Sequence, residues 1–286
     1  MSITFFHNDL DGMCSGAIVK MAHPETELIA IDYGQPFPWD KIKKDTKVFM
    51  VDFGLQPFGD MIKLAGLCDL VWIDHHDTAL KDAKKVGFKV DGLQRDGVAG
   101  CELCWEYFFP KEETPEPVLR LGKFDTWRYK GDTDAANIIA FKYGMEARDS
   151  LPSNSKLWDI LLHPEYSRHS GLVSTILEEG KAVQRYVETE WKGFASDAAF
   201  EVELDGLKCI ALNRTGSGSL PLQSVWDPKK YDAMLAFGWD KGQWSVGLYT
   251  DGKKGIDVGA VAKKHGGGGH VGAAGFSAKE LPFKLG

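Results

Sequence analysis

Three apolar runs near the start of this chain end in side chains that bind metal ions. Phe5-Phe6 leads into His7-Asn8-Asp9-Leu10-Asp11-Gly12, Val48-Phe49-Met50-Val51 into Asp52-Phe53-Gly54, and Leu70-Val71-Trp72-Ile73 into Asp74-His75-His76. Short apolar runs of this kind read as buried strands, so imidazoles and carboxylates stand where three strands give way to loops. A lone Asp-His-His would be weak evidence. Three such strand ends within the first 80 residues point to one shared site. The donors are oxygen and imidazole with no cysteine among them, which suits a hard or borderline cation such as Mn²⁺ or Mg²⁺ better than a thiolate zinc site. Several carboxylates for few imidazoles favour two ions, because one cation needs few anionic ligands. A bridging carboxylate can hold two ions about 4 Å apart, close enough to share an activated water that attacks phosphorus in line. Asp125, in Gly122-Lys123-Phe124-Asp125-Thr126-Trp127, is a further candidate acid. Asp is common in turns, and Asp32, Asp60 and Asp77 are read as turn and capping residues.

These side chains need a scaffold that gathers them. Strand-like segments at Ile3–Phe6, Leu28–Ile31, Lys47–Val51, Val71–Ile73 and Phe88–Val90 alternate with helical ones at Met13–Ala22 and Pro57–Leu67. The alternation predicts an α/β domain with a parallel, doubly wound sheet. Ligands bind such sheets outside the carboxyl ends of the strands, where the His/Asp clusters fall. The stretch Val98–Phe109 reads as a helix, and its Cys101-Glu102-Leu103-Cys104 as buried structural cysteines, since no second Cys-x-x-Cys exists. Asp149–Ser155 reads as a loop. A long helix from Leu172 to about Trp191, with Ile176, Gly180, Val183 and Val187 on one face, connects two domains.

From about Ala195 the runs become short: Phe200–Leu204, Lys208–Leu212, Ala233–Phe237 and Trp244–Tyr249, with turn signals at Asp205-Gly206 and Asp251-Gly252. A short helix, Val258–His265, precedes Gly266-Gly267-Gly268-Gly269-His270. The expected division is a metal-binding domain over residues 1–150, a helical linker over 151–194 and a smaller α/β domain over 195–286.

Composition sets outer limits. The 286 residues allow two domains, and 43% apolar with 26% charged residues predicts a packed core. No apolar run approaches the roughly 20 residues that span a bilayer, and no basic segment precedes an apolar stretch at the N-terminus. A cytoplasmic protein with no membrane partner is the expectation. A net charge of −7 argues against general affinity for long nucleic acid and leaves room for a small phosphorylated substrate. Five irregularly spaced cysteines do not make a disulfide framework.

Taken in order, His7-x-Asp9-x-Asp11-Gly12, Asp52, Asp74-His75-His76 and Asp125-Thr126 resemble the N-terminal motifs of the DHH phosphoesterase superfamily. The run Gly266-Gly267-Gly268-Gly269-His270-Val271-Gly272-Ala273-Ala274-Gly275 resembles the signature of the DHH-associated C-terminal domain. The motifs span nearly the whole chain. The resemblance implies that His7 and Asp9 bind one metal, that Asp11, His75 and Asp125 bind the other, and that Asp52 bridges them. Two Mn²⁺ are implied, with Mg²⁺ or Co²⁺ as substitutes. His76 faces the phosphate as hydrogen-bond donor or acid, and Asp74 orients an imidazole. The first motif is shorter than the His-x-x-x-Asp-x-Asp form of some branches.

In the second domain, Gly267, Gly268 and Gly269 let the backbone approach a phosphate and cradle it with N–H groups, and His270 adds a side-chain donor. The alternative is a flexible linker or a helix C-cap after His265; the compact Val271–Phe276 that follows favours binding. Lys253, Lys254, Lys263 and Lys264 add local positive charge. Tyr249 stands where many relatives carry a nucleotide-holding arginine and can stack on a base. Arg214 is the candidate to compensate.

The oligoribonuclease, or nanoRNase-like, branch is the expected one: short oligonucleotides cleaved to mononucleotides. A capping second domain limits substrate length, and the chain lacks the extra domains and broad basic surface of a processive exonuclease. The alternatives within the same chemistry are a 3′-phosphoadenosine 5′-phosphate phosphatase, a cyclic or linear dinucleotide phosphodiesterase and a polyphosphatase. From a different class comes a catalytically silent nucleotide sensor or scaffold. Such relatives tend to lose ligands, and none is missing here. A homodimer is open.

Overall fold

The computed structural model describes residues 2–163, 165–166, 171–216, 218–240 and 242–284. The chain divides into two compact units, Met1–His76 with Leu80–Arg185, and Asp77–Ala79 with Tyr186–Gly286.

In the first unit, strands β1 (Ser2–His7), β2 (Glu27–Ile31), β3 (Lys47–Val51) and β4 (Asp69–Ile73) form a sheet in the order β2-β1-β3-β4. Every pairing is parallel. Continuous apolar runs are what a parallel sheet covered on both faces requires. Phe6, Phe49, Val51, Val71 and Ile73 pack to one side with Ile18, Leu103, Trp105 and Phe141. Trp72, between Val71 and Ile73, turns to the other side against Phe58 and Phe88. The first β-α connection takes only Asn8 and Asp9 before α1 (Leu10–Ala22) begins.

Further helices are α2 (Gly59–Leu67), α3 (Asp77–Val86), α4 (Gly100–Phe108), α5 (Glu116–Asp125), α6 (Ala135–Glu146) and α7 (Ser155–Leu162). Cys101 and Cys104 lie buried in the core that α1 and α4 share, and all five cysteines are free. Helix α8 (Leu172–Ala198) begins in the first unit and ends in the second. Its Gly180 meets α6 so closely that a Cβ would overlap the Ala140 carbonyl, which explains a glycine on its buried face.

Residues 88–90, expected as a fifth strand, are not one. Among the described residues, Asp91 and Gln94 make isolated bridges to the sheet, opposite Val71 and Asp74. Between them Gly92, at φ 124°, sits where a Cβ would overlap the Trp72 carbonyl. The kink lies between the two bridges.

The second unit is a mixed sheet of β5 (Phe200–Leu204), β6 (Leu207–Asn213), β7 (Ala233–Asp240), β8 (Gln243–Tyr249), β9 (Gly268–Gly269) and β10 (Ala273–Ala278), with helix α9 (Val258–Lys264). Its order is β5-β6-β7-β8-β10-β9, and only β6 and β7 run parallel. Side chains alternate across the sheet. Cys209, Ala211, Leu235 and Phe237 face one core with Val258 and Ala262, while Ile210, Leu212, Met234 and Ala236 face another with Leu222 and Tyr231. Among the described residues, no helix is long and apolar enough to cross a membrane.

Candidate metal centre

Strand register gathers the candidate residues of the first unit. Phe6 pairs with Val51, and Val51 with Ile73. The next residue on each strand is His7, Asp52 and Asp74, so the three stand in a row at the carboxyl ends. The row lies where β1 has β2 on one side and β3 on the other, the point at which the strand order reverses and open α/β sheets bind ligands.

Helix termini bring in the rest. Asp9 caps α1, accepting from the Gly12 N–H at 2.9 Å, and its other oxygen lies 2.9 Å from His7 Nδ1. Gly12 is needed here because a Cβ would overlap the His7 carbonyl. Asp11, in the first turn of α1, accepts from the N–H groups of Gly100 at 2.8 Å and Cys101 at 2.7 Å, at the positive end of α4. Asp125 is the last residue of α5. His75 Nε2 reaches Asp52 Oδ1 at 3.0 Å, Asp11 Oδ2 at 3.3 Å and Asp125 Oδ2 at 3.5 Å. Asp74 Oδ1 accepts from the N–H groups of His75 at 2.8 Å and His76 at 3.1 Å, and lies 2.8 Å from His76 Nδ1.

Asp52 belongs to more than one of the donor sets. His7, Asp9 and Asp52 bring donor atoms within 4.8 Å of one another, and so do Asp11, Asp52 and His75. Its backbone is left-handed at φ 54°, a conformation that costs a residue with a Cβ about 1–2 kcal/mol and that collects at functional sites.

The electrostatics of the cluster follow from burial and crowding. Burial, together with the carboxylates of Asp11 and Asp9, pushes the Asp52 and Asp125 carboxyls well above their ordinary range. Burial pulls the His7 imidazole down, but Asp9, Asp32 and Asp125 outweigh it and lift it to about 9. Burial works against the charged form of Asp74 too, yet His76 and His75 hold it below the usual carboxylate range. Both oxygens of Asp52 and Oδ2 of Asp125 are buried without a hydrogen bond among the described residues. A buried carboxylate left so carries a penalty of several kcal/mol, which a divalent cation among these oxygens removes. The donor set therefore fits Mn²⁺ or Mg²⁺.

Two contributors were not legible as site residues. Gly100 lets α4 approach: a Cβ there would lie 2.7 Å from the Asp52 Cβ. Tyr33, just past β2, packs its ring against Phe53 at 4.5 Å and edge-on to His7 at 5.9 Å and His76 at 6.3 Å. Its hydroxyl is buried without a hydrogen bond, which costs about 1–3 kcal/mol. Burial, and then the carboxylates of Asp74, Asp52 and Asp9, push this phenol well up. Asp32, read as a turn residue, accepts from the Gln35 side chain within its turn at 3.1 Å, and also accepts from Asn8 at 3.3 Å and lies 3.8 Å from His7 Nε2.

In the second unit, Gly268 and Gly269 form β9 against Gly275 and Ala274 of β10. A Cβ on Gly267 would overlap the Gly275 carbonyl, and one on Gly269 would lie 2.7 Å from the Ala273 carbonyl. His270 follows β9 and donates its N–H to the Ala273 carbonyl at 2.7 Å. Tyr249 ends β8, half-buried beside Leu212, Leu222 and Met234. Arg214 sets its guanidinium over Trp191 at 5.7 Å and Phe194 at 5.8 Å.

No protein-family profile matches the chain. An uncharacterised protein, R106, of Acanthamoeba polyphaga mimivirus is 24% identical over 257 residues, covering 83% of this chain and 54% of that protein. The chain thus spans about half the length of this curated relative. Among solved structures, the RecJ of Thermus thermophilus in complex with Mn²⁺ superposes with a TM-score of 0.50 at 13% identity, covering 97% of this chain and 49% of RecJ. The likeness is one of fold: a parallel sheet followed by a second, mixed sheet. The pGpG-specific phosphodiesterase PggH of Vibrio cholerae superposes with a TM-score of 0.47 at 13% identity, covering 97% of this chain and 92% of PggH.

Proposed function

We propose that the chain is a metal-dependent phosphodiesterase that cleaves short oligonucleotides to mononucleotides. One observation carries the reading: Asp52, buried and without a hydrogen bond on either oxygen, belongs both to a His7/Asp9 set and to an Asp11/His75 set of donors. In this reading Asp52 would serve both divalent cations, with His7 and Asp9 completing one set of ligands and Asp11, His75 and Asp125 the other. When bound, such a pair supplies an activated water and neutralises charge on the phosphoryl group. The α4 N-terminus holds Asp11 in place, so α4 positions one set while the α1 cap on Asp9 positions the other. Asp74 fixes the His76 ring through Nδ1. His76 then acts through its other nitrogen, as donor to a phosphoryl oxygen or as acid toward the leaving oxygen. The substrate is anchored by His270 and the Gly267–Gly269 segment, with Tyr249 and Arg214 available for base or phosphate. A cytoplasmic location belongs to the same reading, as does the absence of a membrane partner.

The test is mass analysis of the products from a labelled trinucleotide with Mn²⁺. Mononucleotides formed one at a time support the reading and give the polarity. If di- to pentanucleotides stay intact while 3′-phosphoadenosine 5′-phosphate, a dinucleotide or polyphosphate turns over, the substrate assignment is wrong. If none turns over, the enzymatic reading gives way to a silent nucleotide-binding protein.

A further inference from the structure

We propose that Tyr33 is a substrate-binding residue of this centre: its phenol donates a hydrogen bond to a non-bridging phosphoryl oxygen. The inference rests on the phosphodiesterase reading for the identity of the anion, and on Tyr33's own geometry for the role. The ring leaves little freedom to the hydroxyl, because Phe53 packs on it and His7 and His76 bracket it edge-on. That hydroxyl is buried and makes no hydrogen bond, although Asp9, Asp52 and Asp74 are close enough to act on it electrostatically.

A phenylalanine would fill the same aromatic niche without stranding a polar atom. The phenol therefore waits for an acceptor that none of the described residues provides. A neutral phenol is a donor to anions, and the anion the reading places beside His76 is a phosphoryl group. Strand β2 thus contributes to the site as β1, β3 and β4 do, from the same sheet edge.

The test uses the full chain and its Tyr33→Phe variant, with thermal melts to establish that both fold. Calorimetry measures Mn²⁺ binding first, then binding of inorganic phosphate to the Mn²⁺-loaded protein. The expected result is Mn²⁺ affinity within about twofold of the parent and phosphate affinity about tenfold weaker, the size of one hydrogen bond to a charged acceptor. Equal phosphate affinity in the two proteins would overturn the proposal. So would a loss confined to Mn²⁺ affinity, which would make the phenol a support for a carboxylate, or no phosphate binding by the parent. Hydrolysis of the trinucleotide by the parent judges the phosphodiesterase reading separately. If hydrolysis is absent and the phosphate gap persists, Tyr33 stands as an anion-binding residue and only the diesterase reading falls.

Discussion

The strand ends of the first unit and the glycine run of the second are equally conspicuous in the sequence, yet different forces account for them. Around Asp52 the backbone is satisfied and the side chains are not: carboxylates crowd together, several of their atoms lack hydrogen bonds, and burial with mutual repulsion shifts them upward. Around Gly267 and Gly269 the chain's own packing is explanation enough, because β10 approaches too closely for a Cβ. Chemistry shows itself as polar atoms that folding leaves unpaired. A glycine run first shows crowding, and a ligand there has to be argued from something besides the glycines, here His270.

Substitutions can break or sharpen this contrast. The largest effect is expected of Asp52→Asn, which keeps the shape and removes the shared charge. Mn²⁺-dependent hydrolysis should fall on the order of a thousandfold or more, while the metal-free protein melts no lower, since a strained, repelled carboxylate is gone. A lower melting temperature would mean that the carboxylate serves the fold. Asp74→Asn leaves the ligands in place but loosens His76. Activity should drop about 10- to 100-fold, measured as kcat at saturating Mn²⁺.

Gly267→Ala should act in the opposite sense, lowering stability by about 1–3 kcal/mol through overpacking against β10 with no change in Mn²⁺ affinity. Unchanged stability with a raised KM would show that this glycine serves the substrate rather than the packing. A pH series gives a smaller effect. His7 is held near 9 against an ordinary 6.5, so the stability it contributes is complete below pH 6.5 and is lost as pH rises through 9. The metal-free protein should therefore melt lower at alkaline pH, and Mn²⁺, which requires the neutral imidazole, should bind more tightly across the same window. The smallest change is expected of Arg214→Ala: about 0.5–1 kcal/mol of stability from the lost stacking on Trp191 and Phe194, with KM for oligonucleotides reporting any direct part in binding.

The legible parts of the molecule were those whose signal is local. Unbroken apolar runs marked the parallel strands, because a strand covered on both faces has no polar side to show. Asp-His-His stood out because two other strand ends within the first 80 residues also carry carboxylates or an imidazole. Signals that depend on a distant partner were hidden. Gly100 matters through Asp52, far away in sequence, and reads locally as one more helix start. Tyr33 looks like an ordinary aromatic after a strand until His7, Phe53 and His76 are seen around it. The strand expected at 88–90 differs for the same kind of reason: its apolar pattern is local, while the pairing with β4 falls later, at Asp91 and Gln94 opposite Val71 and Asp74.

The left-handed backbone of Asp52 also bears on how such a protein can change over generations. Few residues with a Cβ accept that conformation readily, and asparagine is among them. Aspartate and asparagine codons differ by a single nucleotide. One point mutation can thus silence the centre and leave the scaffold standing, so a hydrolase built this way lies one step from a binding protein. In any gene of this design, the identity of that single position is where to look first for whether the protein still cuts or only holds.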